Sequence, residues 1–189
     1  MMSMRRTLLA GLAGALALGL GGCATNNINE SKAPTYEQAA ANPLIPANYA
    51  AATTLLSRLQ GQLVAGHPLI AATVVNIDAL DRSSTLGRVV SEQVAARFTL
   101  AGYRMIEMKL RNNVYMARDQ GELMLTREIR DIATAHEAQA VVVGTYAQSS
   151  EMVFINLKVI EPDTNVVLAV HDYALPLDSV TRSMLRANR

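Results

Sequence analysis

Residues 140–175 read AVVVGTYAQSSEMVFINLKVIEPDTNVVLAVHDYAL, and this stretch decides the fold. Ala140 to Tyr146 is an almost purely apolar run, which suits a strand covered on both faces. Ser149-Ser150 turns the chain into Met152 to Glu161. There Val153, Ile155, Leu157 and Val159 alternate with Phe154, Asn156 and Lys158, the period of a strand with two unlike faces. Pro162-Asp163-Thr164-Asn165 is a turn with a physical cause: proline fixes φ, and Asp and Asn bond their own backbone. Val166 to Leu175 follows as another strand. Three strands joined by short turns form an antiparallel meander.

Working toward the amino terminus, Thr126 is placed to cap a helix running to about Glu137, with Ile129, Ile132 and Ala133 inward. Arg111 to Gly121 shows no clear period. Tyr103 to Leu110 reads as a strand. Gly102 fits the left-handed position after a helix. That helix, Thr85 to Ala101, is capped by Ser84 and buries Leu86, Val89, Val90, Val94 and Phe98. Leu69 to Ile77 is a short apolar run and reads as one strand. Before it, a helix over Tyr49 to Ala65 is expected behind an Asn48 cap, with Ala52, Leu55, Leu56, Leu59 and Leu63 on one face. Asp178 is placed to cap a short last helix. Strands separated by helices imply parallel pairs through right-handed crossovers. The expected fold is α/β with an α+β-like character: a five-stranded mixed sheet with helices packed on it, ending in the antiparallel meander.

The amino-terminal segment reads differently. Met1 to Arg6 is a short positive region, and Thr7 to Leu20 is apolar and uncharged. That run is short for a membrane span, which needs roughly 20 apolar residues, but suits a signal-peptide core. Leu20-Gly21-Gly22-Cys23 then resembles the lipobox of bacterial lipoproteins, with Cys23 as the lipidated nucleophile. Ala24 follows, and the sorting rule of such proteins then implies the outer membrane and a periplasm-facing domain. Residues 1–22 are thus expected to be a signal peptide, residues 23–43 a polar, flexible tether, and residues 44–189 the folded domain.

Composition narrows the function. The 189 residues carry a formal net charge of +1. Removing the leader takes Arg5 and Arg6 and leaves the chain near −1. Phosphate-binding proteins normally show a basic excess, so nucleic acid is not an expected partner. Cys23 is the only cysteine, which excludes an intramolecular disulfide. His67, His136 and His171 show no metal or protease spacing. Ser83, Ser84, Ser91 and Ser183 read as caps or solvated positions. Asp78, Asp81, Glu92 and Glu107 are candidate acids without a visible pairing, and Gly87 and Gly102 suit helix packing and helix ending rather than a phosphate loop. No cofactor or metal is expected, and no catalysis. Arg182, Arg186 and Arg189 are expected to share a face of the last helix.

Four segments carry a resemblance. They are Ser83-Ser84-Thr85-Leu86-Gly87-Arg88, Gly102-Tyr103-Arg104-Met105-Ile106-Glu107, Gly121-Glu122-Leu123-Met124-Leu125-Thr126-Arg127 and Ala140-Val141-Val142-Val143-Gly144-Thr145-Tyr146. In this order they make the domain, from about Asn48 to Leu185, similar to the FlgO family of outer-membrane lipoproteins. It is more distantly like the curli secretion lipoprotein CsgG and the amino-terminal domain of TolB. The FlgO resemblance implies a non-enzymatic role in a flagellar envelope structure and motility, through contacts with flagellar or other envelope proteins and outer-membrane lipid at the acylated, palmitate-bearing Cys23. The broader relatives imply an envelope secretion or binding module, and a homo-oligomer is open. The loops Asp78 to Ser83 and Arg111 to Gly121 are the expected contact sites.

Overall fold

A computed structural model describes residues 35–64, 66–108, 116–119, 122–125 and 127–186. Its first element is a helical turn, α1 (Tyr36–Ala40). Thr35 Oγ1 accepts from the Gln38 N–H at 3.3 Å, and Gln38 Oε1 accepts from the Thr35 N–H at 3.0 Å. This reciprocal cap satisfies two orphan donors. The last part of the segment read as a tether is therefore folded.

Helix α2 spans Leu44–Arg58, so the expected start at Tyr49 is corrected by five residues. Pro43 and Pro46 do not prevent this, because the first turn of a helix needs no N–H from its residues. Asn42 Oδ1 accepts from the Leu44 N–H at 2.9 Å. Asn48 is not a cap but a fully buried residue inside the helix. The helix also ends before the expected Ala65, since Gly61 takes a φ of +77°.

The strand expected over Leu69 to Ile77 is broken into β1 (Leu69–Ala71) and β2 (Val75–Asn76). The cause lies at Val74. Its N–H donates to Ser91 Oγ at 2.7 Å, and its carbonyl accepts from Ser83 Oγ at 2.7 Å. Both backbone groups are used by side chains of the following loop and helix rather than by a sheet neighbour. The register slips by one residue between the two short strands.

Helix α3 (Thr85–Leu100) has Ser84 as its cap, with Oγ accepting from the Gly87 N–H at 3.2 Å. Leu86, Val90, Val94 and Phe98 are buried as expected, and Gly102 takes a φ of +92° after the helix. Strand β3 (Met105–Glu107) is shorter than predicted. Strands β4 (Met116–Asp119) and β5 (Glu122–Leu125) pair antiparallel as a separate two-stranded sheet. The sequence reading assigned no element there, because Met-Ala-Arg-Asp lacks apolar alternation. Helix α4 (Arg127–Ala135) buries Ile129 and Ala133. It stops short of Glu137, which has a φ of +52°. The expected cap Thr126 lies outside the described residues. Strands β6 (Ala140–Gln148), β7 (Met152–Ile160) and β8 (Val167–Pro176) form the meander, and α5 (Ser179–Leu185) closes the chain.

The main sheet has the order β3-β1-β6-β7-β8, with β2 also on β6. β1 runs parallel to β3 and β6, while β7 and β8 are antiparallel. The expected mixed sheet is present, with one predicted strand split. Helices α2 and α3 cover one face through Leu55, Leu86 and Phe98, with Leu59 just after α2, packed on Leu69, Val142, Ile155 and Leu157. Helix α4 covers part of the other face through Ile129 and Ala133, packed on Ile70, Val141, Val143 and Ile160.

Candidate contact surface

Helix α4 reaches β1, β6 and the end of β7, but not the rest of that face. Alternation sends Phe154, Asn156 and Lys158 of β7 to the α4 side. Their partners across the ladder are Ala147, Thr145 and Val143 on β6, and Ala174, Asp172 and Val170 on β8. Phe154 stands 54% exposed between two alanines. Beside it, Asn156 Nδ2 donates to Asp172 Oδ1 at 2.6 Å. Ile77, 37% exposed, stands at the edge of the same recess of about 350 Å³. The patch thus presents an exposed aromatic ring among small residues, with a polar pair at its side. The sequence shows Phe154 pointing away from the main core, but not that no helix among the described residues covers it.

A second cleft, of about 230 Å³, lies where β1 and β3 end against α3. It brings together Ser83, Ser91, Glu92 and Glu107, which the sequence leaves unpaired, and adds Arg88. The two hydroxyls are committed. Ser91 Oγ donates to the Gly87 carbonyl at 2.9 Å while accepting from Val74, and Ser83 Oγ donates to Val74. A nucleophile needs a base within hydrogen-bond reach, and these serines instead pin the strand break.

The other candidate residues lie apart from these two sites. His67 lies in the loop before β1, His136 follows α4, and His171 stacks on Tyr173 at 6.1 Å. Asp78 and Asp81 are exposed in the loop after β2, where Asn76 Oδ1 accepts from the Asp78 N–H at 2.9 Å. Ser183 Oγ donates to the Val180 carbonyl at 2.7 Å. Among the described residues, no group of three or more His, Cys, Asp or Glu is placed to hold a metal. No helix among them is long and apolar enough to cross a membrane. Cys23 and most of the 111–121 segment lie outside the described residues.

The expected arginine face is corrected. α5 ends at Leu185, and Arg186 is extended, with φ −65° and ψ 124°. Arg182 folds back to donate to the Leu177 carbonyl at 3.2 Å. Arg189 lies outside the described residues.

Two polar devices hold the elements that frame the surface. Asp178 Oδ1 accepts from the Thr181 N–H at 2.8 Å, the expected cap of α5, and Asp178 Oδ2 accepts from Asn42 Nδ2 at 3.1 Å. Partial burial pushes this carboxyl up, but the donors from Thr181, Asn42 and Val180 outweigh it and hold it below its ordinary range. The second device is in the core. Tyr173 Oη donates to Asn48 Oδ1, and Asn48 Nδ2 donates to Gln93 Oε1 at 2.6 Å. This relay joins β8, α2 and α3. Burial pushes the Tyr173 phenol well above its ordinary range.

These features define a small α/β domain with α2 and α3 over one sheet face and, beside α4 on the other, a patch that no helix among the described residues covers. The chain belongs to the FlgO family: the family model, described as FlgO protein, matches residues 49–180. No curated protein matches the sequence. Among solved structures, the chain is similar to the LpoB carboxy-terminal domain from Salmonella enterica. Identity there is 13% and the TM-score 0.50, over 66% of this chain and 94% of that one. It is also similar to the PelC dodecamer from Paraburkholderia phytofirmans, at 12% identity and a TM-score of 0.42, over 65% and 85% of the two chains. A third is lipoprotein GNA1162 from Neisseria meningitidis, at 11% identity and a TM-score of 0.42, over 60% and 82%. At these identities the likeness concerns the fold.

Proposed function

We propose that this protein is a non-enzymatic lipoprotein of the outer membrane that supports a flagellar envelope structure, and so motility, through protein contacts. Its leader ends at Gly22, Cys23 carries the lipid, and the residues that follow link the anchor to the domain. Family membership supports the flagellar assignment, and Leu20-Gly21-Gly22-Cys23 with Ala24 supports the anchor and the membrane. The observation that carries the contact role is the bare sheet face around Phe154.

Phe154 is the expected anchor residue of that contact. A central aromatic at an interface contributes about 2 kcal/mol or more, roughly thirtyfold in affinity. The Phe154→Glu chain is expected to keep its thermal midpoint, since the ring is half in solvent. It should fail to co-purify with flagellar basal bodies and fail to restore swimming in a deletion strain. Val180→Glu, a change at another exposed apolar residue, is the control and should restore both. Normal swimming and normal co-purification with Phe154→Glu would remove the open face from the account. Normal swimming in the deletion strain itself would remove the flagellar role.

A further inference from the structure

The loops at the amino-terminal ends of β1, β3 and β6 meet at one pole of the domain. Gln139 ties the loop before β1 in place. Its Oε1 accepts from the Val64 N–H at 2.6 Å, and its Nε2 donates to the carbonyls of Val64 at 3.0 Å and His67 at 2.9 Å. The Leu69 N–H donates to the Arg104 carbonyl at 2.8 Å, and Arg104 Nη1 reaches the Gly66 carbonyl at 3.4 Å. Between these loops lies a groove of about 230 Å³, lined by Leu63, Gly66, His67, Gly102, Tyr103 and Arg104.

Two observations point to an occupant. The first is apolar. The most exposed large hydrophobic side chains among the described residues are Leu100, 70% exposed, and Val64, 62% exposed. Neither lines the groove itself, but each is next in the chain to a residue that does, Ala101 and Leu63.

The second is charge. The segments 59–68, 97–104 and 136–139 carry Arg97 and Arg104 against a single carboxylate, Glu137. Arg97 donates to Thr53 Oγ1 at 3.2 Å and Arg104 to the Gly66 carbonyl, so both guanidiniums meet neutral oxygens, whereas Arg58 turns away to β8, where it donates to the Val170 carbonyl at 2.9 Å. Glu161 and Asp163 lie at the same end of the sheet but on the β7–β8 hairpin, about 10 Å away by strand spacing. The opposite pole mixes Asp78, Asp81, Glu151 and Asp178 with Arg82, Arg182 and Arg186.

We infer that this groove docks a segment of another protein in which carboxylates flank an aliphatic side chain. The aliphatic group packs against Leu100 and Val64, and the carboxylates meet Arg104 and Arg97. An anionic glycan would use the arginines but leave the two apolar side chains uncovered. The site is distinct from the open face, because Phe154 pairs with Ala147 near the other end of the sheet.

The test titrates the full-length protein, held in lipid nanodiscs, with a fluorescein-labelled 12-residue peptide alternating Glu and Leu. Its Gln/Leu analogue and soluble muropeptides are run in parallel, with empty nanodiscs as background. The Glu/Leu peptide is expected to bind at least fivefold more tightly than the Gln/Leu peptide, and less tightly as salt rises. Arg104→Glu and Leu100→Ser should each weaken it fivefold or more at an unchanged thermal midpoint, since both side chains are exposed. Phe154→Glu should leave it unchanged, which separates this groove from the proposed contact at the open face. Equal binding of both peptides, indifference to both groove substitutions, or tighter binding of the muropeptides would overturn the inference.

Discussion

Replacing Gly87 by alanine is expected to lower stability by about 3 kcal/mol or more, a fall in thermal midpoint of roughly 10 °C for a domain of this size. The reason is the break between β1 and β2. A Cβ at position 87 would lie 2.2 Å from the Val74 carbonyl oxygen and 2.6 Å from Ser83 Oγ. The first neighbour is backbone and is already held by Ser83, while Ser91 holds the Val74 N–H. It has no rotamer by which to yield. Helix α3 would have to lift off the sheet, exposing Leu86 and Val90, both fully buried. Gly61→Ala is the contrasting change: its φ is +77° but no atom lies near the added methyl, so only the left-handed strain of about 1–2 kcal/mol applies. Thermal melts of the two variants followed by circular dichroism compare them directly. Equal midpoints would show that α3 does not depend on this close approach.

The relay through Asn48 gives the second large effect. Asn48→Ala is expected to cost about 2–4 kcal/mol in urea unfolding, because it leaves both the Tyr173 hydroxyl and the Gln93 side chain without their partner. Tyr173→Phe removes only the donor to Asn48, so its expected cost is smaller, about 1–3 kcal/mol. The double variant should cost less than the sum, since both changes break the same bond. The relay also has a pH signature. The folded-state pKa of Tyr173 is raised, so its contribution is complete below the unfolded value of about 10 and is lost as pH climbs above it. That alkaline loss should be absent in Tyr173→Phe.

Much of this architecture is legible in the chain, and the exceptions have a common cause. The meander is written in the two-residue alternation of Val153 to Val159, and α3 in the spacing of Leu86, Val90, Val94 and Phe98. Those patterns are local. The broken strand is not, because what turns Val74 out of the sheet are two serines from the next loop and helix, 9 and 17 residues on. Asn48 reads as a cap by residue type, yet its partners Gln93 and Tyr173 come from 45 and 125 residues away. Glu92 and Glu107 share a cleft only because β3 lies beside β1 and under α3. Phe154 is visibly outward on its strand, but the sequence does not say how far α4 extends over that face. Surfaces are decided by what fails to cover them, and that is a property of the assembled layers.

The proposed anchor joins these surfaces to a membrane. It leaves a domain whose described residues contain no span of their own beside a bilayer, with eleven residues between Cys23 and Thr35. That link reaches at most about 40 Å. A single acyl chain binds marginally and several hold firmly, so the number of chains matters as much as their presence. The most direct measurement is the intact mass of the mature protein extracted from purified outer membranes, with fragmentation of its amino-terminal peptide. The expected result is a chain beginning at Cys23 and carrying diacylglyceryl and amide-linked acyl mass, absent in Cys23→Ser, which should leave the outer-membrane fraction. A chain that begins elsewhere, or an unmodified Cys23 on protein still held in that membrane, would contradict the account.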